Sequence, residues 1–205
     1  CTPFSNIQNI NNVKRDPRIV KEELDKARLH LAWCCRLYRA QIARGAYFLH
    51  EHPRMARSWN EPCVQQVLKI PGVGKVVADQ CQLGQQDDWG DPIKKPTGFM
   101  SNAPELLKIL DIRCLGRAGE CSRPSGGKHT PCLGTRERRA AIFQDKLCTS
   151  ILRGLRNQLT ADGKMRENEI GITSEHDRIE EGNDHVKDFL TQNASGALTK
   201  GFQSN

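Results

Sequence analysis

The sequence predicts an α/β fold, the second half of an open sheet with flanking helices and a disordered C-terminal tail. Three observations predict it. Apolar residues recur at helical spacing in two long stretches, and between them short apolar runs alternate with turn signals. One helix–strand alternation followed by a hairpin is the pattern of an open α/β sheet. Near residue 160 the composition then turns polar and acidic.

Residues 1–15 are polar, with Asn6, Asn9, Asn11 and Asn12 favouring loop. Asp16-Pro17 starts the first helix, Asp as N-cap and Pro at the first helical position. Val20, Leu24, Ala27, Leu31, Cys34 or Cys35, Tyr38 and Ile42 carry it to Arg44, and Gly45 stops it. The run 46–50 reads as a buried parallel strand. A short helix is expected over 62–69, ended by Pro71-Gly72. Strands are expected over 75–81 and 96–102, paired antiparallel, with a short helix over 104–110. The strands 46–50 and 75–81 are expected to be sheet neighbours, with the first helix on one face. Residues 113–134 hold glycines and prolines without periodicity, and read as a Cys-rich loop. The second long helix is expected over 135–159, through Ala140, Ile142, Phe143, Leu147, Ile151 and Leu155. The domain organisation is therefore 1–159, the α/β domain, and 160–205, a tail predicted to be disordered.

Charge is segregated. Residues 160–205 carry five basic and nine acidic side chains of the chain's 31 and 24, which leaves residues 1–159 at +11. Such an excess points to a polyanionic partner, most simply nucleic acid, with a solvated surface as the plain alternative. No run of eighteen apolar residues is present to span a membrane, and residues 1–15 do not show the basic-then-apolar pattern of a secretion signal. Nine cysteines, an odd number with Cys34 and Cys35 adjacent, do not make a disulfide framework. They point to an intracellular setting. Cys34, Cys35, Cys63 and Cys148 read as core or helix-face residues, and Cys81 as a buried strand cysteine. The start at a cysteine, without methionine, predicts a fragment of a larger parent that lacks its N-terminal half.

Four segments carry chemistry together: Cys1-Thr2-Pro3-Phe4-Ser5, His50-Glu51-His52-Pro53, Asp79-Gln80-Cys81-Gln82-Leu83-Gly84, and Lys94-Lys95-Pro96-Thr97-Gly98-Phe99-Met100-Ser101-Asn102. In order and spacing they resemble the second half of a DNA cytosine methyltransferase, as in phage-type enzymes and retrotransposon polyproteins. The resemblance covers roughly residues 1–160. It implies a partial Rossmann-like methyltransferase sheet. It also implies Cys1 as the thiolate that adds to carbon 6 of a flipped cytosine, and Glu51 as the group that holds the base edge. The two are then expected at one sheet edge. His52 stands where that family has asparagine. The glycine-rich turn that holds S-adenosylmethionine lies upstream in the family, so that cofactor belongs to the intact parent and the fragment alone is expected to be inactive. His50 and His52 are read as alternating across their strand, and so as unable to share a metal.

The loop region offers a separate constellation. Cys114, Cys121, His129 and Cys132 are separated by six, seven and two residues. Three thiolates and an imidazole suit tetrahedral zinc, and a metal would order a loop poor in apolar side chains; unlinked loop cysteines are the alternative. Lys94, Lys95, Arg113, Arg117, Arg123, Lys128, Arg136, Arg138 and Arg139 surround it, and the first two and last three are the candidate phosphate contacts. The chain thus reads as a methyltransferase-like fragment, or as a non-catalytic, zinc-stabilised nucleic-acid-binding module. A third reading, an N-terminal-nucleophile hydrolase using Cys1, conflicts with a start in polar loop and long helix.

Overall fold

The structure is a computed structural model and describes residues 2–5, 12–132 and 140–165. Cys1, Arg136, Arg138, Arg139 and the tail beyond residue 165 lie outside the described residues. The chain divides into two units, Cys1–Lys164 and Met165–Asn205, and the first is described below.

Helix α1 spans Pro17–Ala43. It begins where expected because the Asp16 carboxylate accepts the Arg18 amide at 2.8 Å and Pro17 needs no partner for its nitrogen. It ends where Gly45 takes a left-handed conformation. Strand β1 follows (Leu49–Pro53), then helix α2 (Pro62–Leu68), strand β2 (Gly74–Asp79), strand β3 (Pro96–Ser101) and helix α3 (Pro104–Leu110). Helix α4 closes the unit (Asp145–Ala161). No described helix is long and apolar enough to cross a membrane.

The architecture is α/β with a three-stranded sheet in the order β1-β3-β2, and β3 runs antiparallel to both neighbours. The predicted hairpin of β2 and β3 is present. The predicted adjacency of the first two strands is not: β1 and β2 run in the same direction, but β3 lies between them. The α2 crossover therefore spans a gap one strand wide, and β1 is an antiparallel strand at the sheet edge. The strand also begins three residues later than expected. Ala46–Phe48 is held instead by the Asn102 side chain, which accepts the Phe48 amide at 3.0 Å and donates to the Ala46 carbonyl at 2.9 Å.

Register assigns the two faces. His50, His52, Gly98 and Met100 share one, and Glu51, Val76, Ala78 and Phe99 the other. On the first face Leu31 and Cys35 of α1 pack with Phe48, Trp59, Val64, Val67 and Met100. The Trp59 ring lies flat against Gly98, where a Cβ would come within 2.7 Å of it, so only glycine fits. On the second face Ala78 and Phe99 pack under Leu106, Leu107, Leu110 and Leu147 of α3 and α4. Of the helix expected over 135–159, residues 135–139 lie outside the described residues, 140–144 are not helical, and α4 begins at Asp145. Ala140 is buried and its carbonyl accepts the Lys95 ammonium at 2.6 Å, which holds that backbone outside the helix.

Candidate metal centre

Strand β2 ends at Asp79, and the short 3₁₀ turn Gln80–Leu83 brings Cys81 to the sheet's end. The loop after α3 is laid against this point by one fully buried carboxylate. Asp79 accepts the Cys114 amide at 2.9 Å and the Arg113 guanidinium at 3.0 Å, and its own amide donates to the Ile112 carbonyl at 2.9 Å. Further on the loop doubles back. The Cys121 amide donates to Gly127 at 2.8 Å and the His129 amide to Gly119 at 2.7 Å, which sets Cys121 and His129 side by side. The fold is tight at Gly116, where a Cβ would lie 1.9 Å from the Glu120 carbonyl oxygen.

Four ligand atoms meet there. Those of Cys81, Cys114, Cys121 and His129 all lie within 4.8 Å of one another. Cys114 Sγ is 3.8 Å from Cys121 Sγ and 3.5 Å from His129 Nε2. A tetrahedron with Zn–S bonds near 2.3 Å and Zn–N bonds near 2.0–2.1 Å has edges of about 3.8 Å between sulfurs and about 3.6 Å from sulfur to nitrogen. The group is thus of the size that one four-coordinate ion requires. The three cysteines are buried and His129 is half-buried.

Polar donors surround the sulfurs. The buried Gln82 amide donates to Cys81 Sγ at 3.7 Å, Cys121 Sγ at 3.6 Å and Ser122 Oγ at 3.2 Å. The Ser122 amide reaches Cys114 Sγ at 3.4 Å. Burial pushes the Cys114 thiol up, but hydrogen bonds from Ser122, Gly116 and Cys121 outweigh it and bring it down to about 6. Burial, with Cys121 alongside, pushes Cys81 up to about 12. One sulfur is therefore prepared as a thiolate while its neighbour holds a proton that a cation would displace.

The set differs from the expected one in a single member. Cys114, Cys121 and His129 converge as predicted, but the fourth member of the cluster is Cys81, read from sequence as a buried strand cysteine, and not Cys132. Asp79 docks the loop on the end of β2, so the turn after that strand supplies the remaining ligand. Cys81 sits in the turn two residues past the end of β2 and three before Gly84, and that strand-end position was the available signal.

No family model, curated protein or solved structure matches the chain.

The other predicted residues are spread over the fold. Glu51 is half-buried on the face opposite His50 and His52; burial raises its carboxyl and the Lys95 charge opposes that. Its expected partner Cys1 is outside the described residues. His50 and His52 do not alternate across the strand, because residues two apart share a face. Their ring centroids are 4.8 Å apart. His50 Nδ1 is 2.9 Å from the Tyr38 hydroxyl, and His52 Nδ1 meets Ser58 Oγ. Lys94 lies 3.8 Å from Asp79. Lys95 donates inward to Ala140, and Arg123 is bonded to Gln86, Gly90 and Gly126. These cations serve the fold.

Proposed function

We propose that this chain binds one zinc ion through Cys81, Cys114, Cys121 and His129, and that the ion orders the loop of residues 112–132. The observation that carries this is the convergence of four ligand atoms within 4.8 Å, with the Cys114–Cys121 and Cys114–His129 edges at tetrahedral length. Three thiolates and an imidazole are borderline-soft donors that suit zinc over magnesium or calcium. Four protein ligands complete the coordination, which makes the site structural and leaves no open position for catalysis. Metal analysis of purified protein is expected to give close to one zinc per chain. Cys121→Ser is expected to abolish it while leaving α1 helical. A Cys132→Ser variant is expected to retain the metal, and zinc loss there in place of loss in Cys81→Ser would overturn the ligand set.

A second reading concerns the partner. The excess of +11 over residues 1–159 supports a nucleic acid, expected to bind with a steep salt dependence. A cytosine-methyltransferase-like kinship fits the same partner, and two features support it: the shared direction of β1 and β2, and the half-buried Glu51. On that reading no described residue is assigned to S-adenosylmethionine. A cytosine-containing strand is then expected to shift the Glu51 carboxyl titration by NMR, and an all-thymine strand to leave it. Equal effects from both would remove the kinship argument.

A further inference from the structure

The cations nominated for phosphate contact and described here are committed to the fold, yet the chain keeps its basic excess. Part of it lies along the C-terminal half of α1 and its C-cap, Arg44. From residue 26 to residue 50 there are five lysines and arginines (Lys26, Arg28, Arg36, Arg39 and Arg44) and no aspartate or glutamate. Two of the five are partly spent: Lys26 pairs with Glu22, and Arg28 with Asp25 and Glu61. Arg39 donates to Gln66. Among the described residues no carboxylate pairs with Arg36 or Arg44.

The same helix is apolar on both sides. Its inner face packs Leu24, Ala27, Leu31, Cys35, Tyr38 and Ile42 into the core. Opposite them, at steps of four, stand Leu29, Trp33 and Leu37, exposed by 73%, 49% and 43%. An indole half open to solvent on a helix already packed on its other side is not required by the fold. The His30 and Trp33 rings are stacked, with centroids 6.1 Å apart and planes 30° from parallel. Arg36 lies on the turn that follows Trp33, and Arg44 two turns further along the same face.

We propose that this outer face of α1 is a platform for single-stranded nucleic acid: bases stack on Trp33 and lie against Leu29 and Leu37, while Arg36 and Arg44 hold the phosphates. The proposal rests on the nucleic-acid reading above and moves its site from the loop to the helix. A strand with free base faces gains from an exposed indole, whereas a duplex offers its bases only at the ends and along groove edges. An acidic peptide would also be drawn to the arginines, but the half-exposed Trp33 ring favours a planar ligand.

The test is fluorescence anisotropy of a short labelled oligothymidylate with the full metal-loaded chain. Trp33→Ala is expected to weaken binding by roughly five- to a hundredfold, and Trp33→Phe to restore most of it, as base stacking on an aromatic side chain predicts. The double change Arg36→Ala, Arg44→Ala is expected to weaken binding and to flatten its salt dependence by about two phosphate contacts. Trp33 and both arginines are exposed, so circular dichroism is expected to show these variants folded. Absence of oligonucleotide binding would remove the nucleic-acid reading altogether. Binding that is unchanged in Trp33→Ala, or equal for duplex and single strand, would leave that reading standing and overturn the platform. Displacement of nothing but an acidic amphipathic peptide would also overturn it.

Discussion

Asp79 does more for this molecule than its place at a strand end suggests. It is fully buried, accepts from the Cys114 amide and the Arg113 guanidinium, and has Lys94 within 3.8 Å. Removing one member of a buried ion pair strands the other charge, which typically costs about 3–5 kcal/mol. Arg113 is about a third exposed, so solvent reduces that figure. Asp79→Asn is expected to destabilise the unit by about 2 kcal/mol in urea unfolding. It is also expected to weaken zinc, because the Cys114 amide loses its anionic acceptor and the thiolate its placement. An Asp79→Asn protein that unfolds like the parent would show that Arg113 finds water instead. The sequence sets Asp79 at the head of a motif segment but does not give it this role, which comes from a contact across more than thirty residues.

At the scale of elements, the legible parts are those that local chemistry decides. Helix α1 was readable from Asp16-Pro17, the apolar stripe and Gly45. Helices α2 and α3, each opened by a proline, were readable to within a residue. The misread boundaries are those set by distant partners. Asn102 takes the backbone that Ala46–Phe48 would have given to a strand, and Lys95 fixes the Ala140 carbonyl ahead of α4. The loop of residues 112–132 holds few apolar side chains and is shaped by close backbone approach. Gly116→Ala would drive a Cβ to 1.9 Å from the Glu120 carbonyl oxygen, a clash that only backbone movement relieves. That variant is expected to lose most of its zinc with little change in helical circular dichroism. Chelation of the parent protein is expected to have the matching local effect. Hydrogen exchange should rise at the Cys121 and His129 amides, which hold the loop's turn, and stay slow within α1. Unchanged exchange after chelation would mean that the loop orders itself without metal.

The sheet as a whole was half legible. Strand identity follows from composition, and the β2–β3 hairpin from the turn-rich segment between its strands. The insertion of β3 beside β1 depends on which faces must be covered, and α1 with Trp59 covers one of them. That layer holds two buried histidines between helix and sheet, and they make the unit sensitive to acid. Burial holds His50 down to about 4, with the His52 and Lys75 charges acting in the same direction, and burial holds His52 down to about 4 as well. A histidine in the unfolded chain titrates near 6.5. Between these values the unfolded chain binds more protons than the native one, so stability is full above about pH 6.5 and falls as pH drops toward 4. The two rings together are expected to remove a few kcal/mol by pH 5. Acid would also release zinc from the proposed site, so the measurement that separates the two effects is urea unfolding of the chelated protein at several pH values. His50→Phe replaces a ring whose Nε2 has no partner among the described residues, and should flatten the acid limb by about half while keeping stability near neutral pH. An acid limb that is unchanged in His50→Phe, with metal absent, would place the sensitivity elsewhere in the fold.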